Sequence, residues 1–186
     1  MKLISNKFPD CYLKKISLED VNQQYVSWLN DPSINQYLET RFQKQNITTI
    51  KSFIQKMQNT PNEYLFTIRT MNEGHIGNIK VGDINEIHKT AYISLFIGNK
   101  LAWGKGYGYQ AIQLISQYAF THLLIRKICA SSYKPNIASI KTFLKAGFIE
   151  DGVLSNHYKL NNTPCDLVQL CMFKEKSKNL PKLKVI

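Results

Sequence analysis

Apolar residues along the chain switch between two spacings, and each switch marks an element. Alternation over residues 12–16 predicts a strand. After Asp20 the apolar positions move to Val21, Tyr25, Trp28 and Leu29, a helical spacing that Asp31-Pro32 stops. A loop over residues 33–46 follows. Thr48 or Thr49 then caps a second helix, with a stripe of Ile50, Phe53, Ile54 and Met57. Three strands come next, 64–69, 75–84 and 91–97, broken by Asn72-Glu73-Gly74 and by the polar stretch 85–89. Connections this short predict an antiparallel meander.

A glycine-rich loop, 103–108, feeds a third helix, whose apolar face is Ala111, Ile112, Ile115, Tyr118, Ala119 and Leu123. Residues 127–133 read as a fifth strand. Pro135-Asn136 opens a fourth helix with Ile137, Ile140, Leu144 and Phe148 inward, ending at Gly147. Strands at 153–160 and 166–173 close the pattern, joined by the turn Asn161-Asn162-Thr163-Pro164. The predicted fold class is α/β (α+β): seven strands, mostly antiparallel, with about four helices.

At 186 residues the chain fits one domain, assigned to 1–175 with a basic C-terminal tail at 176–186. With 44% hydrophobic and 20% charged residues, a disordered class is excluded. No apolar run approaches the ~20 residues of a membrane span, and the N-terminus lacks an apolar signal core. A cytoplasmic protein is expected, with no membrane partner. Cys11, Cys129, Cys165 and Cys171 form no Cys-x-x-Cys pair and read as buried free thiols. The histidines His75, His88, His122 and His157 are scattered, so no metal site is expected.

The net charge is +11, and the tail contributes to it through Lys174, Lys176, Lys178, Lys182 and Lys184 against Glu175 alone. For the tail a solvated lysine surface is the preferred reading. The basic body suits a polyanionic partner: a phosphate-rich coenzyme, a nucleotide-linked substrate or RNA. The RNA option lacks a recognition motif, its aromatics falling at core spacing. No DNA partner is expected.

The loop Trp103, Gly104, Lys105, Gly106, Tyr107, Gly108 carries the chemistry. Glycines let backbone N–H groups approach a bulky anion. The helix behind them aims its free N–H groups and dipole at the same point, and Lys105 adds a charge. A pyrophosphate cradle and a plain turn both fit such a loop taken alone. A Walker loop does not fit, because no Gly-Lys-Ser/Thr follows at the required spacing. Nor does a dinucleotide fingerprint, since the loop follows a meander rather than a first parallel strand.

Strand, Trp-Gly-Lys-Gly-Tyr-Gly, helix, strand and then Asn136 to Ser139 to Phe143 to Gly147-Phe148 resemble the GNAT acyltransferase superfamily over about residues 8–175. Trp28-Leu29-Asn30-Asp31-Pro32 and the form of the loop are similar to the branch of ribosomal-protein N-terminal acetyltransferases and nucleotide-amino-sugar N-acetyltransferases. Trp103 departs from the usual Gln or Arg, and Phe143 stands where many members place a tyrosine near the leaving sulfur.

The resemblance implies acetyl-CoA as co-substrate and direct attack by an amine in a ternary complex. Pantetheine would lie in a gap between strands 91–97 and 127–133, against Phe96, Ile97 and Gly98, with Asn136 reaching the arm or acting as a plain N-cap. A backbone N–H in that segment would meet the oxyanion. Candidate catalytic groups are Glu39, His157 and, as proton donor to the thiolate, Ser139. Arg41, Asn78, Lys80 and Tyr158 are candidate acceptor contacts. The acceptor is a protein α-amine or a small amine such as a nucleotide-linked amino sugar; aminoglycosides, being cationic, suit a basic protein poorly. A non-catalytic acetyl-CoA-binding module, favoured by Phe143, stays open, as does a homodimer.

Overall fold

Asn22, rather than Asp20, starts the first helix: its Oδ1 accepts from the Tyr25 N–H at 2.9 Å. In the computed structural model, which describes residues 1–177 and 179–186, the order is β1 (Lys2–Ile4), β2 (Cys11–Lys15), α1 (Gln23–Asn30), α2 (Pro32–Asn35), α3 (Ile47–Asn59), β3 (Tyr64–Thr70), β4 (Gly74–Asn85), β5 (Thr90–Ile97), α4 (Tyr107–Thr121), β6 (Lys127–Tyr133), α5 (Ile137–Lys145), β7 (Ile149–Leu160), β8 (Thr163–Phe173) and β9 (Lys184–Val185). The sheet runs β7-β8-β6-β5-β4-β3-β2-β1-β9. All neighbours are antiparallel except β5 and β6.

The mixed, mostly antiparallel fold is therefore present, with two short strands and a one-turn helix beyond the expected set. Both extra strands come from the ends, where Leu3 and Ile4 pair with Val185 and Lys184. The C-terminal stretch thus returns to the sheet, and Leu180 and Leu183 pack on the core. Three residues are too few for a visible alternation, which is why the sequence pattern passed over β1.

Each face of the sheet has its own apolar layer. On one, α4 is buried almost all round and packs with Phe66, Ile68, Ile79 and Phe148. On the other, Tyr25, Trp28 and Leu29 of α1 meet Ile50, Ile54 and Met57 of α3 over Leu65. Each such side chain, fully buried, contributes roughly 1.5–3 kcal/mol. Phe53, placed in the α3 stripe by spacing, is exposed. α5 is turned from the expected phase: Ile137 and Leu144 are exposed, while Ile140 and Phe143 point in.

Asp20 serves a different purpose from capping α1. Its carboxylate ties β2 to β3 through Lys14 and Arg69, both at 3.1 Å. Gly98, just past β5, lies under the Trp28 ring. A Cβ there would sit 2.2 Å from Trp28 Cδ2, so only glycine lets the indole close on the strand end. Of the four thiols, Cys11 and Cys171 are buried and Cys129 and Cys165 half-buried, none in a disulfide. Burial, with Asp10 nearby, pushes Cys11 up to about 12.

Candidate active site

The one parallel pair of the sheet is also the shortest ladder among its central strands. β5 and β6 match only at Thr90–Lys127, Ala91–Ile128 and Tyr92–Cys129, and then part. Each stays paired on its outer side, β5 with β4 up to Ile97 and β6 with β8 up to Tyr133. Arg126 and Lys127 donate to Lys89 C=O, which fixes which residues of β5 face β6. By strand alternation these are Ala91, Ile93, Leu95 and Ile97. Gly98 N–H turns the other way and donates to Ile76 C=O at 2.8 Å. Of the predicted segment Phe96, Ile97 and Gly98, only Ile97 therefore offers backbone to the gap. Leu95, which the sequence reading omitted, offers the next.

The loop after β5 ends at the mouth of this gap. Asn99 caps a single 3-10 turn by accepting from Leu101 N–H at 3.0 Å. Gly104 and Gly106 have φ of +74° and +82°, and a Cβ on either would meet nothing within 4 Å. Their left-handed backbone turns the chain so sharply that α4 begins at Tyr107 with no side-chain cap. The first hydrogen bond of α4 is Gln110 N–H to Gly106 C=O at 3.1 Å. Among the described residues, the N–H groups of Lys105 to Tyr109 have no protein acceptor. They form an open cluster of donors at the positive end of a helix. Gly108 is less constrained, since a Cβ there would make only ordinary contacts with Thr142 and Leu95.

Three side chains of the loop point away from that cluster and hold it still. Trp103 donates its indole N–H to Ile97 C=O at 2.9 Å. Lys105 pairs with Glu73 at 2.9 Å, and that carboxylate raises its pKa. Tyr107 donates to Asp10 at 3.1 Å. Lys105 is thus a tether to the β3–β4 turn in this structure, and backbone amides make up the anion-binding surface.

Asn136 is the N-cap of α5, its Oδ1 accepting from Ser139 N–H at 3.3 Å, and its Nδ2 has no partner among the described residues. The half-buried Ser139 hydroxyl has no partner among the described residues. Phe143 is 2% exposed and lies edge-on to Phe148 at 5.0 Å. It is a core residue and offers no surface to a coenzyme; the rotation of α5 that buried it is the reason.

The acceptor candidates separate into two groups. Glu39 and Arg41 meet at the end of β6, around Tyr133. The Tyr133 hydroxyl donates to Glu39 Oε1 at 2.6 Å and accepts from Arg41 Nη2 at 2.9 Å. Arg41 also bonds the carbonyls of Leu38 and Lys159, and its guanidinium lies over the rings of Phe42 and Tyr133. Burial, and then the bond to Glu39, raises the Tyr133 pKa, so the phenol stays a donor. Tyr158 packs on Tyr133 at 5.3 Å and His157 on Tyr158 at 4.9 Å. Glu39, Tyr133, His157 and Tyr158 together line a cavity of about 320 Å³.

Asn78 and Lys80 are not part of it. Asn78 is 3% exposed, its Oδ1 lies 2.9 Å from His75 Nε2, and its Nδ2 is buried without a hydrogen-bond partner among the described residues. Lys80 is held by Glu63 at 2.9 Å. Tyr133 was missed because residues 127–133 were read as a strand with neither face assigned. The signal was its parity: it follows Lys127, Cys129 and Ser131 on the polar side of β6, an aromatic ring where that side runs into the gap. No group of three or more His, Cys, Asp or Glu able to hold a metal occurs among the described residues, and no helix there is long and apolar enough to cross a membrane.

The family profile described as an acetyltransferase (GNAT) domain matches residues 11–149. The probable N-acetyltransferase YjcK of Bacillus subtilis is 27% identical over 150 residues, 80% of each chain. The spermidine N(1)-acetyltransferase of Escherichia coli is 28% identical over 97 residues, 52% of each. The solved structure of spermidine N-acetyltransferase from Vibrio cholerae in complex with CoA and spermine superposes with a TM-score of 0.81, over 91% of this chain and 99% of that one, at 22% identity. A GNAT-family acetyltransferase from Bacillus anthracis gives 0.79 over 94% and 99%, at 18% identity.

Proposed function

The chain belongs to the GNAT acetyltransferases and is an acetyl-CoA-dependent acyltransferase; from that premise we propose that it transfers the acetyl group to a primary amine by direct attack in a ternary complex, the amine arriving from the Tyr133 side of the gap. The observation that carries this reading is the parting of β5 and β6 beyond Tyr92, together with the amides of Lys105 to Tyr109, unbonded among the described residues, in a run where Gly108 packs close to Leu95 of β5. The diphosphate sits on those amides and pantetheine pairs with the Leu95 backbone and the Ile97 N–H as an added strand, the Ile97 carbonyl being taken by Trp103.

In the reaction the amine nitrogen forms a bond to the thioester carbonyl carbon and the carbon–sulfur bond breaks. The carbonyl oxygen passes through an oxyanion that a backbone N–H of β5 stabilises. The amine must lose its protons, and Glu39 and His157 are the titratable side chains lining the cavity that receive one. Ser139, with its hydroxyl uncommitted, supplies a proton to the thiolate. The Tyr133 hydroxyl holds Glu39 in place for its part. The acceptor class is a small amine or a protein α-amine; relatives named for spermidine add polyamines to the candidates.

The test is calorimetry with acetyl-CoA followed by release of free thiol over a panel of nucleotide amino sugars, N-terminal peptides and polyamines. Binding with turnover on one class is the expected result. Binding without transfer to any amine would leave only a coenzyme-binding module. Glu39→Gln and His157→Gln separate the two bases: the variant lacking the true base loses the acid-side limb of the pH–rate profile, along which the rate falls as the base is protonated, and the other variant keeps it. A Ser139→Ala enzyme with unchanged turnover removes that residue from the mechanism.

The homodimer belongs to this reading as well. β7 is a sheet edge, and Ile149, Val153 and Leu154 on it are 46%, 48% and 40% exposed, an arrangement that isolated proteins avoid. Sedimentation velocity is expected to give twice the chain mass; a monomer at micromolar concentration refutes it.

A further inference from the structure

A second, larger groove opens beside the amine cavity, and the two share Phe42 and Lys159 in their walls. It measures about 550 Å³. Its charged lining consists of Arg41, Lys44 and Lys159, with no carboxylate among the lining residues. Lys44 and Lys159 form no ion pair with a described residue. The amides of Gln43, Asn161 and Asn162 complete the donor set, and no side-chain hydrogen bond to a described residue engages them. Asn161 and Asn162 stand at the tip of the β7–β8 hairpin, both in the left-handed region (φ of +50° and +64°), which sets their side chains on a two-residue turn at the rim. The nearby carboxylate, Glu39, pairs with Arg41 at 3.5 Å and accepts from the Tyr133 hydroxyl.

We propose that this groove is a phosphate subsite of the acceptor, so that the substrate of this enzyme carries a phosphate or diphosphate alongside its amine. The proposal rests on the acetyl-transfer reading above, because it places the acceptor amine in the adjoining aromatic cavity. Two lysines without a counter-carboxylate, beside an Arg41 whose one ion pair is with Glu39, favour an oxyanion, and the planar guanidinium and amide donors suit its several oxygens. The same charges repel a polyamine, whose second and third ammonium groups would have to lie in this groove. The volume exceeds what a lone phosphate needs and leaves room for the group attached to it.

The experiment uses the full chain saturated with CoA, so that the coenzyme's own phosphate site is filled. Inorganic pyrophosphate, uridine 5′-diphosphate and spermidine are then titrated separately by calorimetry. Pyrophosphate is expected to bind once per chain, and to bind at least about tenfold more weakly to the Lys44→Gln/Lys159→Gln double variant and at raised salt. Uridine diphosphate binding equally well assigns the groove to phosphate alone; tighter binding assigns it to a nucleotide. No heat with either, equal affinity in the double variant, or spermidine binding that competes with pyrophosphate would overturn the proposal. Circular dichroism of the double variant reports that its fold is intact. Acetyl transfer is read separately on the amine panel. Transfer without pyrophosphate binding removes the subsite alone, and pyrophosphate binding without any transfer removes the transfer reading alone.

Discussion

Two glycines at opposite ends of the same turn separate space from backbone strain. At Gly98 an alanine Cβ would overlap the rigid Trp28 ring, so Gly98→Ala is expected to cost about 1–3 kcal/mol in urea denaturation. At Gly106 there is room for a Cβ, but φ is +82°, so Gly106→Ala costs about 1–2 kcal/mol from backbone conformation. Coenzyme affinity by calorimetry should rank them the other way, because a backbone shift at Gly106 moves the open amides on either side of it. Tyr133→Phe keeps the ring and removes the hydroxyl that bridges Glu39 and Arg41. Its expected effect is a lower kcat/KM for the amine with the KM for acetyl-CoA unchanged; equal losses on both substrates would point to a general loss of structure. Glu39 and Arg41 were legible as neighbours in one loop. Their shared partner was not, since Tyr133 lies 92 residues from Arg41 and only the meeting of β6 with that loop joins them.

Among elements, the meander and α4 were readable because their alternation and apolar face run long enough to be unambiguous. β6 was placed at its observed bounds. The α5 phase was not, because Phe143 and Leu144 are adjacent and equally apolar, and only the depth of the pocket beside Phe148 selects Phe143. The contact between α1 and β4 has a pH signature. His75, at the start of β4, stands edge-on to Trp28 and Tyr25 of α1. Burial, the largest influence, holds its imidazole below the usual range. The unfolded chain binds that proton near pH ~6.5 and the folded one only lower. Stability is therefore fully present above about pH 6.5 and falls as the pH drops towards the folded value. The urea midpoint should decline between about pH 7 and pH 5, and a His75→Gln variant should show a shallower decline.

Across the whole molecule, the sequence pattern identified the order of the central strands and the glycine loop between them, yet not the sheet edges. β1 and β9 are too short to read, and their pairing depends on the two ends meeting. Net charge pointed towards anionic partners without locating them. The fold places Lys44 and Lys159, without an ion pair to a described residue, beside the β7–β8 hairpin, and ties Lys105 to Glu73.

The early divergence of β5 from β6 leaves one edge of an internal strand solvated, where its amide protons can be followed in time. The Leu95 and Ile97 N–H groups should trade hydrogen for deuterium quickly in the free protein, while Gly98, bonded to Ile76, trades slowly. Acetyl-CoA should slow the first pair and leave the third as it was. Mass spectrometry of the peptide spanning β5 would thus report an occupied gap as if an extra strand had joined the sheet.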